Sequence, residues 1–166
     1  DVQSVYEGFI ASPKNWHYRN KMEYSFSAIV HNPKTKEKED GFGFGFKKRG
    51  TWWAVENLNG DSGLYDAQVE NFMPTLRGWF EETNLPAWHP PKREGFYRFL
   101  VARRSEANEK LLFNLVTSSD GLESFDRQAF VELLKSAFGE RLQGVIHTIN
   151  DDKGDRVEAR SGDSEL

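Results

Sequence analysis

The stretch GFGFGF, residues 41–46, limits the fold more tightly than any other part of the chain. Phe42, Phe44 and Phe46 alternate with Gly41, Gly43 and Gly45 in a strict period of two. Only an extended strand puts every second side chain on one side, so the segment is a strand with one aromatic face and one bare face. The bare face lets another element approach closely. A phosphate-cradling loop would need a helix directly after the glycines, whereas KKRGTWWAV follows, a turn into a further strand. Lys47, Lys48, Arg49 and Gly50 are therefore expected at a hairpin tip, with Trp52, Trp53 and Val55 on the return strand.

The same period governs HYRNKMEYSF, residues 17–26, where Met22, Tyr24 and Phe26 oppose Glu23 and Ser25. A strand is expected over Lys21 to Val30, followed by the polar turn HNPKTKEKEDG. The period then changes. Val69, Phe72, Met73, Leu76, Trp79 and Phe80 predict a helix from Tyr65 to Glu82, capped by Asp61 or Ser62. NLPAWHPPKREG breaks it as a loop, and the strands Phe96 to Arg103 and Leu111 to Thr117 are joined by the polar turn SEANEK. A second helix is expected over Phe125 to Phe138, with Phe130, Leu133, Leu134 and Phe138 inward and Gly139 just past its end. Gln143 to Asn150 reads as a strand, and Arg156 to Ala159 as the start of another. The expected class is α+β: an antiparallel β-sheet built from hairpins, with two α-helices packed on one side, in a single domain. No glycine-rich strand-to-helix turn for a nucleotide or for S-adenosylmethionine is present.

The chain of 166 residues contains no cysteine, which excludes a disulfide framework, a thiolate metal site and a cysteine nucleophile within it. No apolar run of about 18 residues predicts a membrane span, no signal peptide is legible, and a cytoplasmic location is expected. The chain opens DVQSVYEGFI without an initiator Met and reads as an excised domain or a processed product. His17, His31, His89 and His147 are scattered, Asp151-Asp152 and Glu81-Glu82 read as solvated acids, and no Gly-x-Ser-x-Gly elbow occurs. No self-contained active site is visible. The net charge is −4, yet residues 14–49 hold nine of the 22 cations, and a second cluster spans Lys92 to Arg104. Cationic strand ends interleaved with aromatic residues are what RNA binding requires: charge for phosphates and flat rings for unstacked bases.

Four blocks, in order, resemble the RNA uridine C5-methyltransferases that modify 23S ribosomal RNA and transfer RNA: YRNKMEYSF from Tyr18, GFGFGFKKRGTWWAVENL, GFYRFLVARRSEANEKLLFNLVTS and GVIHTINDDKGDRVEA. The Arg of the family's LVxR strand falls at Arg103, and Thr148 stands where Asn is usual. The resemblance implies the central domain of such an enzyme, residues 1–166, holding RNA while a following catalytic domain uses S-adenosylmethionine. The family's catalytic Cys, general base and cofactor loop would lie beyond Leu166, so no cofactor and no catalytic residue is expected in this segment. Many members hold a four-iron cluster, with one cysteine at a place that falls here at about Leu58, and no such cluster is expected.

The expected partners are RNA, ribosomal or transfer, and the protein's own catalytic domain in cis; the expected state is a monomer. Candidate RNA contacts are Arg19, Asn20, Lys21, Lys47, Lys48, Arg49, Arg98 and Arg103. Arg19, Asn20 and Lys21 either grip the RNA backbone or lock the strand mouth through hydrogen bonds, a turn capped by Asn20 and an acid paired with Arg19 being the structural alternative. The rival function is an interaction domain that packs on the catalytic domain without touching RNA.

Overall fold

The computed structural model describes residues 4–154, 156 and 157, and the backbone of 164 and 165. Strands β1 (Lys21–His31) and β2 (Lys38–Lys47) form an antiparallel hairpin, and β2 turns back into the short β3 (Val55–Asn57). Helix α1 (Ala67–Glu82) leads through the proline loop to the hairpin of β4 (Tyr97–Arg104) and β5 (Leu111–Thr117). Helix α2 (Arg127–Phe138), β6 (Leu142–Ile149) and β7 (Ser164–Glu165) complete the chain. The sheet order is β2-β3-β1-β4-β5-β6-β7, with β2 also paired directly to β1.

The class is α+β, and the sheet is mixed. β5 and β6 run parallel from Leu111↔Leu142 to Thr117↔Ile149. A parallel pair needs a crossover of about a dozen residues or more, and α2 supplies it. Alternation in β1, β4 and β5 sends Met22, Tyr24, Phe26, Leu100, Phe113 and Leu115 into the core. Val69, Met73, Leu76 and Phe80 of α1 and Phe130, Leu134 and Phe138 of α2 cover that same face. Phe80 is the aromatic hub, with ring centroids 4.9 Å from Phe26, 5.6 Å from Phe44, 4.8 Å from Tyr97 and 5.6 Å from Phe130.

The glycine face of β2 does what its composition implies. A Cβ on Gly45 would lie 2.2 Å from the Glu56 carbonyl oxygen, and one on Gly43 would lie 3.0 Å from that of Ser27. β2 thus sits against both neighbours with no room for a side chain.

Three local expectations are corrected. Trp52 and Trp53 precede β3 rather than lying in it, because the turn that begins at Lys48 widens until Lys48 N–H bonds the Ala54 carbonyl. Asp66, not Asp61 or Ser62, caps α1: its carboxylate accepts from Val69 N–H at 3.2 Å. Asp61 instead accepts from Gly63 N–H in a tight turn at 2.8 Å, which reverses the chain before the helix can start. Arg156 and Val157 are not in a strand, and residues 158 and 159 lie outside the described residues.

Candidate nucleic-acid interface

Residues 17–20 are fixed through their backbone. His17 N–H bonds the Gly63 carbonyl at 2.7 Å, Arg19 N–H that of Leu64 at 3.1 Å, and Arg104 N–H that of Asn20 at 2.8 Å. The strand mouth is therefore locked by main chain, and the side chains of Arg19 and Asn20 remain exposed. Among the described residues neither side-chain alternative, a turn cap on Asn20 or an acid beside Arg19, is realised, and the Arg19 guanidinium meets the Met22 Sδ, at 3.7 Å.

Lys21 and Arg103 are direct cross-strand partners on β1 and β4. They share the sheet face opposite the helices. Like charges placed opposite each other on one sheet face are destabilising. Lys21 is relieved by Glu23, whose Oε1 lies 2.5 Å from its Nζ. Arg103 is exposed and has no anionic partner among the described residues.

Further along the same face, the Lys47 ammonium lies 5.4 Å from the centre of the Phe99 ring. Burial, and then the nearby Arg98 charge, bring its pKa down to about 8. Lys48 pairs with Glu56 at 3.1 Å, and that hydrogen bond holds the carboxyl of Glu56 below its ordinary value despite the opposing effect of burial. Arg49 is exposed at the tip. Trp52, 54% exposed, stands edge-on to Trp53 beside this tip, and the Lys38 ammonium caps Trp53 at 5.0 Å.

Arg98 leaves the candidate set. It is 1% exposed, its guanidinium donates to the carbonyls of Asn150 at 2.5 Å, Asp152 at 2.7 Å and Gly154, and it stacks on Trp88 at 4.2 Å. A five-donor planar group can gather several carbonyls of one returning loop, which is a structural task.

Sequence reasoning missed a second charged centre. Asp66 receives Arg141 at 2.6 Å and Arg104 at 3.5 Å, while Arg104 also holds Glu106 at 2.7 Å, and Lys14 holds Glu106 at 2.9 Å. Burial raises the pKa of Asp66, but the Arg141 hydrogen bond, the Val69 N–H and both guanidinium charges outweigh it and hold the carboxyl below its ordinary value. No sequence spacing links residues 14, 66, 104, 106 and 141; the fold brings together the segment before β1, the start of α1, the β4–β5 turn and the link from α2 to β6.

Leu58, at about the place where the resemblance puts a cluster cysteine, packs on the core, and an apolar side chain does not fit a metal ligand. Among the described residues no group of three metal-binding side chains occurs, and no helix is long and apolar enough to cross a membrane.

No family model matches the chain. It is 33% identical over 151 residues to an RNA methyltransferase of Caldanaerobacter subterraneus, covering 90% of this chain and 31% of that protein. An RNA methyltransferase of Clostridium tetani is 31% identical over 148 residues, 89% of this chain and 30% of that one. The tRNA (uracil(54)-C(5))-methyltransferase of Pyrococcus abyssi is 26% identical over 113 residues, 68% of this chain and 24% of that one. The crystal structure of the Pyrococcus abyssi tRNA (uracil-54, C5)-methyltransferase with S-adenosyl-L-homocysteine superposes at a TM-score of 0.61 and 22% identity. That match covers 95% of this chain and 32% of the other, so the fold is shared. The chain spans about a third of the length of the first two relatives.

Proposed function

The chain belongs to the family of these RNA methyltransferases, corresponding to one segment of them, and from that premise we propose that it is the segment that holds the RNA substrate. The chemistry would be S-adenosylmethionine-dependent methylation of uracil C5 in ribosomal RNA, the catalytic Cys and the cofactor domain being supplied by the rest of the longer protein. The observation that carries the reading is the Lys21–Arg103 pair. Two cations face each other across strands, and only one of them has a counter-charge among the described residues. A phosphate is the anion that would settle the other.

A packing role rests on a different surface. Tyr6, Phe9 and Ile10, 67%, 83% and 97% exposed, lie in the segment before β1, and their apolar surface suits contact with another domain of the same protein. The two roles therefore use different parts of the chain.

Titrating fluorescent single-stranded RNA with the chain at several salt concentrations tests the proposal. Binding should weaken steeply with salt. Arg103→Ala should weaken it for any RNA sequence and flatten the dependence of log affinity on log salt by about 0.7 per lost phosphate contact. Absence of binding at low salt would leave only the packing role.

A further inference from the structure

At the open end of the β1–β4–β5–β6 sheet lies a cleft of about 360 Å³ whose lining includes Asn20, Arg103, Asn108, Lys110, Leu112 and Gln143. Resting on the RNA-holding reading above, we propose that this cleft is a subsite for a single unstacked nucleotide of single-stranded RNA, with its phosphate on Arg103 and Lys110 and its base edge on the amides.

The chemistry of the lining supports that occupant over a bare anion. Two cations come from different elements: Arg103 near the end of β4 and Lys110 just before β5. Arg104, which also lines the cleft, is committed to Asp66 and Glu106 and adds little free charge. Lys110 lines the cleft and spends one ammonium N–H on the Glu140 carbonyl, which leaves two of its N–H donors. A phosphate can accept from an amide NH₂ but leaves the amide oxygen without a donor, whereas a base edge uses both. Three amides line the cleft from three segments: Asn20 before β1, Asn108 in the β4–β5 turn and Gln143 on β6. The side chains of Asn20 and Gln143 have no partner among the described residues. Asn108 accepts the Lys110 N–H at 3.2 Å through its Oδ1, which leaves its NH₂ without a partner among the described residues. An amide pairs a donor with an acceptor, which is what the edge of a base requires. Half-buried Leu112, the cross-strand neighbour of Arg103, supplies an apolar surface for the base ring. The volume falls at the low end of ligand sites and suits one nucleotide, not a duplex. The Asn20 backbone is held by Arg104 N–H, so its side chain is presented from a fixed position.

The neutral amides allow a test that separates this subsite from general phosphate binding. Single-stranded oligouridylate of about eight nucleotides, within the reach of one small module, is titrated against the wild-type chain, Asn20→Ala, Gln143→Ala and Arg103→Ala. Asn20→Ala and Gln143→Ala should each weaken binding about five- to thirtyfold, the scale of lost base-edge hydrogen bonds, without changing the salt slope. Arg103→Ala should weaken binding and flatten the slope, and an RNA duplex should bind the amide variants as well as wild type. Thermal melts of each variant, matching wild type, confirm that folding is intact. Wild-type binding with unaltered affinity in both amide variants would overturn the subsite and leave the RNA-holding reading standing. No wild-type binding at low salt would overturn that reading itself.

Discussion

Replacing Arg98 by Met separates a structural cation from an RNA-binding one. The guanidinium is buried, and burial holds its pKa below its ordinary value, but an arginine remains charged at neutral pH. Its removal frees three carbonyls. Those of exposed Gly154 and half-buried Asp152 can return to water, whereas Asn150 is 0% exposed and its carbonyl stays dry. One unsatisfied buried carbonyl costs about 1–3 kcal/mol. Losing the cation over the buried Trp88 ring adds about 1 kcal/mol, and the Met chain keeps part of the packing. The desolvation cost of the guanidinium disappears with it, which keeps the sum from reaching the full value of three charged hydrogen bonds. The expected loss is about 2–4 kcal/mol, or a melting temperature lower by about 4–16 °C for a chain of this size. Circular dichroism melts and urea unfolding read it directly. The surviving folded protein should show the wild-type salt slope for RNA. An unchanged melting temperature together with a flattened slope would refute the assignment and return Arg98 to the interface.

Gly45→Ala should destabilise the protein by about 1–3 kcal/mol, because its Cβ would meet backbone at 2.2 Å and 2.6 Å, while Gly78→Ala, in α1 with nothing within 4 Å, should stabilise by up to about 1 kcal/mol; paired denaturant titrations check the opposite signs. Asp66→Asn keeps an oxygen to cap α1 but removes the anion shared by Arg141 and Arg104, leaving half-buried Arg104 with Glu106 alone, and should cost about 3 kcal/mol at neutral pH. Since the Asp66 pKa is depressed in the folded state, its contribution is present above the ordinary carboxylate pKa, about 4, and is lost as pH falls through it toward the folded value. Wild type and variant should accordingly converge in stability when melts are repeated down to acid pH.

Much of the architecture is legible without coordinates, because backbone geometry imposes fixed side-chain periods. The alternation in GFGFGF and KMEYSF marks two strands, and Val69, Met73, Leu76 and Phe80 mark the buried stripe of a helix. These are local properties, determined by neighbours within a few residues.

What only the tertiary structure decided is the role of each charge. In the sequence Arg98, Arg103 and Arg104 are three similar cations within seven residues. In the fold Arg98 is buried against carbonyls 52, 54 and 56 residues away, Arg104 is neutralised by Asp66 and Glu106, and Arg103 alone faces outward without an anionic partner among the described residues. Strand alternation narrows the face, but whether a guanidinium finds a carboxylate, a carbonyl or water depends on which distant segment returns to it. The parallel β5–β6 pair is of the same kind: it follows from where α2 carries the chain after β5, and strand-level periodicity reads the same for either direction. The sequence alone determined the elements and the buried faces; packing between distant segments determined which cations were left for a partner, because charge pairing acts through space and hydrophobic period acts along the chain.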